Sequence, residues 1–456
     1  MGEQILEKVV GAPAAALDKT LTTSQEITTA ISNKAELGKA RSYWQTLGPG
    51  LTTGAADDDP SGVGTYSQAG AQYGLQLLWL ASCTFPLMAV VQEMCARIGL
   101  VTGRGLAGNI RLYFPRWVIH LCTILLFAAN TFNIGADLGA MAKAAQLLMP
   151  ELNFTLAVVG FTVLSLTLQI FVPYAKYARY LKWLALILLS YVFAMVTIDL
   201  NWSNVLRHSF LPTFNFTRDK LMIITGVLGT TISPYLFFWQ TSQEVEVQIM
   251  EGKTTIESRQ EETSKSEVTS MRTDVWSGMF LSNLVMFAII ATCAAALNSV
   301  GVTNIQSAAD AAMALKPIAG NEAYLLFTLG IVGTGLLAVP ILAGSASYAI
   351  SESFGWRYGL SRKLGEAYSF YGVIMISTLI GLAVNFIGLD PIKALIYSAV
   401  GNGLIAPVIL VLIVLISRDR KVMGKWANGL LTNILGWLIT GLMVVSGVAT
   451  IISLMS

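Results

Sequence analysis

Long apolar runs separated by short polar stretches organise this sequence. Eleven of them, at 47–73, 75–99, 117–147, 153–173, 181–200, 221–249, 275–298, 323–350, 368–388, 392–416 and 427–455, recur along the chain. Each meets or nearly meets the roughly 20 residues that a helix needs to cross a bilayer, and several are long enough to tilt or break. The longest polar connections are residues 1–45, 200–220, the Glu/Lys/Ser/Thr-rich run 250–274, and 299–322. The pattern predicts an all-α integral membrane protein of eleven spans, with no soluble domain inserted.

Composition agrees. The chain is 54% hydrophobic and 12% charged, whereas soluble domains carry about 25% charged residues. A net charge of +2 gives no argument for nucleic acid. The cysteines, Cys83, Cys95, Cys122 and Cys293, are scattered with no CxxC pair, so neither a disulfide frame nor a zinc site is expected. Residues 1–45 contain no long apolar core, and read as a polar tail rather than a cleavable signal peptide. Placing that tail in the cytoplasm puts twenty-three Lys/Arg on the inner side against five outside, with Lys143 inside the third span. The positive-inside rule then orients the bundle, with the amino terminus cytoplasmic and the carboxyl terminus outside.

Two spans carry signs of a break. Span one contains Asp57-Asp58-Asp59-Pro60-Ser61-Gly62 in its middle. An Asp at a helix centre costs about 2.5–3.5 kcal/mol on insertion scales, and proline with glycine removes helix hydrogen bonds. Freed carbonyls beside a carboxylate make a cation site; the alternative is that the acids snorkel at a helix end. Span six repeats the pattern in Gly226-Val227-Leu228-Gly229-Thr230-Thr231-Ile232-Ser233-Pro234-Tyr235. Gly/Pro-interrupted helices five spans apart are the mark of a transporter built from inverted repeats, with substrate bound between the unwound stretches. Two structural proline kinks are the bland alternative.

Four stretches resemble the Nramp family of divalent-metal transporters. Leu47-Gly48-Pro49-Gly50-Leu51 is similar to the start of that family's first helix, and Asp59-Pro60-Ser61-Gly62 falls where the family has Asp-Pro-Gly-Asn. Residues 92–104, QEMCARIGLVTGR, resemble its second-helix signature, and 417–424, SRDRKVMG, its link into span eleven. The resemblance implies a LeuT-like fold: two inverted five-helix repeats, discontinuous helices 1 and 6, and one extra helix. On that frame 1–45 is a cytoplasmic tail, 46–200 the first repeat, 201–220 an extracellular connection, 221–416 the second repeat, and 417–456 the link and helix 11.

Departures from the family pattern are as informative. Gly62 stands where the family has a metal-binding asparagine, Ser233 replaces its methionine ligand, and Tyr235 its histidine. Asn133 and Ala136 fall where the family carries acids on its proton path, and Ala399 replaces a glutamine near the metal. These changes resemble the divergent branch of Nramp-related magnesium transporters. The chemistry points the same way: thioether favours softer metals, whereas carboxylate, carbonyl, hydroxyl and water suit Mg²⁺, Ca²⁺ and Mn²⁺. Mg²⁺ also gives up its water reluctantly, and the lost side chains leave room for it.

The expected site is therefore Asp59 as main charge partner, space at Gly62, carbonyls around Ala56 and Thr230, and the hydroxyls of Thr230 and Ser233. Asp57 and Asp58 either draw cations at a vestibule or are solvated or capping. Asn283 either orients Asp59 or a water, or bonds helix to helix, and Tyr235 is a supporting residue. Of the other charges at membrane depth, Glu93, Asp137, Lys143 and Glu352 are read as structurally paired. His120 and His208 are not placed for a proton relay. The expected function is uncoupled, potential-driven uptake of Mg²⁺ and secondarily Mn²⁺, as transported substrates rather than cofactors, at the cell membrane. Neither nucleic acid nor an obligate protein partner is indicated. Two other readings are a proton-coupled Mn²⁺/Fe²⁺ symporter and a sodium-coupled organic-solute transporter. No nucleophile–base pair argues for an enzyme.

Overall fold

The structure, a computed structural model, describes residues 48–173, 186–212, 217–260 and 263–455. The polar tail and the first part of span five, 181–185, lie outside the described residues. The chain is helical, with no strand among the described residues. The first apolar segment is split into α1 (Pro49–Asp57) and α2 (Pro60–Tyr73). Then come α3 (Trp79–Thr102), the short α4 (Leu106–Tyr113), α5 (Arg116–Leu148), α6 (Phe154–Phe171) and α7 (Leu189–Thr197). After α8 (Trp202–Phe210), span six is split into α9 (Arg218–Thr231) and α10 (Pro234–Met250). The rest is α11 (Lys265–Ala296), α12 (Ala323–Phe354), α13 (Tyr368–Val384), α14 (Pro391–Arg418) and α15 (Leu430–Met455).

Eight of these stretches are long and apolar enough to cross a membrane, α9 and α10 together forming one of them. The broken segments form the centre. α1 packs on α11, α2 on α11 and α14, α9 on α14, and α10 on α3 and α12, while α5 packs against α12, α13 and α14. In the apolar window of span six 89% of residues are buried, against 28% in α6 and in α15. The two outer helices offer mostly apolar surface, as lipid-facing helices do.

Helices in lipid associate through close packing of small residues more than through a hydrophobic drive. At the α1–α11 contact a Cβ on Gly54 would lie 2.3 Å from the Gly278 carbonyl oxygen, and one on Gly278 would lie 2.2 Å from that of Gly50. Only glycine lets these backbones meet. The Asp274 carboxylate of α11 then accepts from the Gly50 amide at 2.6 Å and the Leu51 amide at 3.2 Å, satisfying donors that a helix start leaves open.

Structural pairing holds for Glu93, which accepts from Arg272 at 2.8 Å, the Trp276 indole at 2.8 Å and Arg97 at 3.3 Å, joining α3 to α11. Glu352 accepts from the Gly108 amide at 2.7 Å, joining α12 to α4. Two polar connections are partly helical. Residues 201–220 contain α8 and the start of α9. The polar run 250–274 is anchored at buried Arg259, which donates to the Gly103 carbonyl at 3.0 Å and the Thr254 carbonyl at 3.0 Å; its end forms the capped start of α11.

Gly278→Ala is expected to destabilise the protein by about 1–3 kcal/mol through overpacking, read as a lower thermal unfolding midpoint in detergent. Gly160→Ala, where a Cβ meets nothing within 4 Å, is the control. Equal midpoints for the two would show that α1 does not pack on α11 in this way.

Candidate cation site

The two breaks share one backbone pattern. In span one, Asp58 ends α1 at φ −86°, ψ 51°, and Asp59 follows extended at φ −66°, ψ 172° before Pro60 starts α2. In span six, Ile232 ends α9 at φ −116°, ψ 61°, and Ser233 follows at φ −79°, ψ 130° before Pro234 starts α10. Proline's ring fixes φ and disfavours a helical conformation in the residue before it, which is why each break falls where it does. Each break places the negative end of one half-helix beside the positive end of the next.

Asp59 is the N-cap of α2. Its Oδ1 accepts from the Gly62 amide at 2.7 Å and the Ser61 hydroxyl at 2.8 Å, and its Oδ2 from the Asn133 side-chain amide at 3.0 Å. The side chain is 1% exposed, so these donors stand in for water. Gly62 lets oxygen atoms close in. The three heavy atoms nearest to a Cβ built on it are the Asp57 carbonyl oxygen at 3.2 Å, Thr230 Oγ1 at 3.2 Å and Asp59 Oδ1 at 3.4 Å. Asp59, Gly62 and Thr230 are thus brought together. Thr230 Oγ1 is buried without a hydrogen-bond partner among the described residues, an arrangement that calls for a ligand.

Other candidates are already engaged. The Ala56 carbonyl accepts from the Tyr235 hydroxyl at 3.0 Å, so Tyr235 latches α10 to α1. Ser233 Oγ donates back to the carbonyls of Thr230 at 2.6 Å and Gly229 at 2.8 Å, which leaves its lone pairs available. Asp57 and Asp58 correct the vestibule and solvation readings: both are buried, at 0% and 4% exposure, and Ser282 of α11 reaches them at 2.6 and 3.3 Å. Asn283 does not orient Asp59. Its side chain meets Thr84 Oγ1 at 3.2 Å and Met88 Sδ at 2.9 Å, the helix-to-helix alternative.

Asp137 is bonded within its own helix. Its Oδ2 accepts from the same Asn133 amide at 3.0 Å, and its Oδ1 has no hydrogen-bond partner among the described residues. Lys143 lies instead over the Phe154 ring, 5.1 Å from its centre. The i, i+4 spacing of Asn133 and Asp137 put both on one face of α5, a signal available before the structure. Asn402, whose Nδ2 donates to Asn133 Oδ1 at 3.2 Å, and Ser61 had not been singled out. The histidines lie elsewhere: His208 Nδ1 bonds the Asn204 carbonyl at 2.8 Å, and the His120 ring packs near Phe354 at 5.5 Å.

Comparison with known proteins adds a family. Residues 50–453 match the family model Nramp, natural resistance-associated macrophage protein-like. A protein named divalent metal cation transporter MntH, from Klebsiella pneumoniae subsp. pneumoniae, is 25% identical over 419 residues, which is 91% of this chain and 95% of that protein. A crystal structure of a mutant Eremococcus coleocola manganese transporter superposes with TM-score 0.71 and 18% identity, covering 90% of this chain and 87% of that one. The same transporter in complex with an aromatic bis-isothiourea compound gives TM-score 0.69 and 18% identity, over 93% and 89% of the two chains. These structures show the fold.

Tyr235→Phe removes the latch and leaves the Ala56 carbonyl short of a donor, for an expected loss of about 1–2 kcal/mol. Denaturation midpoints in detergent measure it, and an unchanged midpoint would mean that another donor serves this carbonyl.

Proposed function

The chain belongs to the Nramp family, a family of transporters and not of enzymes, and from that premise we propose that it carries divalent cations across the cell membrane, Mg²⁺ first and Mn²⁺ second, without proton coupling. A relative named for divalent metal cations and a fold neighbour named for manganese support the cation class. The observation that carries the preference is the oxygen set gathered at Gly62, where a Cβ would meet a carboxylate, a carbonyl and an unpartnered hydroxyl at 3.2–3.4 Å. Oxygen donors select hard cations. With no thioether at position 233 and no amide at 62, water completes the coordination, which suits Mg²⁺.

The ligands would be Asp59, the Thr230 and Ser233 hydroxyls, and carbonyls of Ala56, Asp57 and Thr230, some of them through water. Asn133 and Tyr235 would hold this set in place. The matched dihedrals of the two breaks support the division into repeats at 46–200 and 221–416. Neither histidine contacts the breaks, which supports transport driven by the membrane potential alone. At about 2.3 kcal/mol per charge per 100 mV, a divalent cation gains roughly 4.6 kcal/mol, more than a thousandfold accumulation. The excess of Lys/Arg on one side supports a cytoplasmic amino terminus and an outer carboxyl terminus.

Flux in proteoliposomes tests this. Mg²⁺ and Mn²⁺ uptake should follow an imposed potential with no matching acidification of the lumen, and Asp59→Ala should abolish it. Gly62→Asn, which adds a side chain where a Cβ already meets oxygens at 3.2 Å, should reduce Mg²⁺ uptake at least tenfold while sparing Mn²⁺ more. Uptake of Mn²⁺ but never Mg²⁺, or acidification in proportion to flux, would sink the proposal. Ser233→Met should shift selectivity towards softer metals such as Cd²⁺; unchanged selectivity would remove Ser233 from the ligand set.

A further inference from the structure

Asp59 and Asp137 are held on either side of one amide. The Asn133 Nδ2 donates to Oδ2 of each at 3.0 Å, so these two carboxylate oxygens lie within 6 Å of each other. The orientation of that amide is fixed by its surroundings. Turned over, it would aim its own oxygen at two carboxylates and its nitrogen at the Asn402 donor. Asn133 therefore spends both of its N–H groups on the acids and its oxygen on Asn402.

An amide is neutral and cannot offset two buried negative charges. The described ion pairs, Arg97–Glu93, Lys253–Glu267 and Arg272–Glu93, do not involve these acids, and the one lysine on the same helix end lies over Phe154. Asp137 is fully buried, yet its Oδ1 has no hydrogen-bond partner among the described residues. Other buried groups beside this pair are also short of partners: Thr230 Oγ1, 3.2 Å from where a Gly62 Cβ would stand, Asn402 Oδ1 and Asp57 Oδ1. A buried charge without a counter-charge is among the least favourable features a fold can carry. Four oxygens from α2, α5, α9 and α14, two of them acidic, are better arranged for a cation than for one another.

We propose that Asp137 is the second charged partner of the transported cation, facing Asp59 across the Asn133 amide and holding the ion through its water. The inference rests on the reading of Asp59 as the cation's partner and deepens it. Asp59 brings one carboxylate to a divalent ion and Asp137 brings a second from α5, whereas the carboxylates of Asp57 and Asp58 meet Ser282 of α11. Asn133 bridges the acids when no ion is between them. Asn402 fixes that amide and offers its free oxygen to a water of the ion. Water-mediated contacts of this kind hold a hydrated ion nearly as well as direct ones, and they discriminate in favour of an ion that keeps its water over one that sheds it.

Ion-induced thermal stabilisation of the full-length protein in detergent, followed by uptake in proteoliposomes, tests this. Wild-type protein titrated with Mg²⁺ should show a rising unfolding midpoint. In Asp137→Asn the half-point of that rise should move to roughly ten- to hundredfold higher Mg²⁺, the scale of a lost charged hydrogen bond, with a smaller move for Mn²⁺. Without ions the variant should unfold at or above the wild-type midpoint, because a lone buried charge has gone; a structural role for Asp137 would lower it instead. Asp137→Glu, which keeps the charge, should recover at least part of the Mg²⁺ response, and it serves as the reporter if Asp137→Asn yields no folded protein, a shifted but saturable response being required. An Mg²⁺ half-point unchanged in Asp137→Asn, or unchanged in Asp137→Glu when that is the reporter, overturns the proposal. If wild-type uptake acidifies the lumen, the proton-free reading fails, and loss of that acidification in Asp137→Asn with cation uptake intact overturns the second-charge assignment as well. If wild type responds to Mn²⁺ and not to Mg²⁺, the Mg²⁺ reading fails; the second-charge assignment is then decided by whether Asp137→Asn moves the Mn²⁺ half-point.

Discussion

The carboxylate of Asp59 caps the helix that its own position interrupts. Pro60 stops α1 from continuing, and the extended Asp59 turns its side chain back onto the Gly62 amide and the Ser61 hydroxyl. An N-cap of this kind ordinarily contributes about 1 kcal/mol at a surface. In the membrane interior no water is present to serve the open amides, so the cap becomes a condition for breaking the helix at all. One side chain therefore sets the local fold and places a negative charge at the break. The glycine contacts of α1 with α11, the Tyr235 latch and the Asn133 amide all hold elements around that point.

The break in span six uses the same backbone with different chemistry. Ser233 occupies the place of Asp59 in the sequence of extended residue then proline, but its hydroxyl donates backwards to the last carbonyls of α9 instead of capping α10. An acid there would repel those carbonyls, since it has no proton to give. The pair is thus complementary: one break presents a carboxylate, the other carbonyls whose orphaned lone pairs are screened by a hydroxyl. Gly229 and Gly403 let α9 and α14 close behind the second break, where a Cβ on Gly229 would fall 2.1 Å from the Ala399 carbonyl oxygen.

Much of this was legible in the sequence because it is backbone chemistry. Proline after an acid or a serine in the middle of an apolar run marks both breaks, and the loss of bulk at Gly62 can be read directly. Spans follow from hydrophobic length. What could not be read is which polar groups in different spans meet. Asn283 was a candidate for Asp59 because it matches a family asparagine; its side chain faces α3 instead, where it meets Thr84 and Met88. Asp57 and Asp58 looked solvated because adjacent charges usually are, but Ser282 on a neighbouring helix draws them inwards. Asp137 was read as structurally paired without a named partner, and its bond to Asn133 lies one turn back on its own helix.

Asn133 sharpens what distinguishes this site from one that moves protons. A carboxylic acid at its position could exchange a proton with Asp59 directly; an amide can orient Asp59 and Asp137 but has no proton to yield at ordinary pH. Its two N–H groups are both occupied by acids, and its oxygen by Asn402. On the uncoupled reading proposed above, an amide in place of an acid holds these two carboxylates in position and leaves no proton to pass between them. The same substitution lets both charges act on whatever occupies the space beside them. A transporter that gave up proton exchange here would keep its electrostatic pull on a divalent ion, and the membrane potential would be left as the force that moves it.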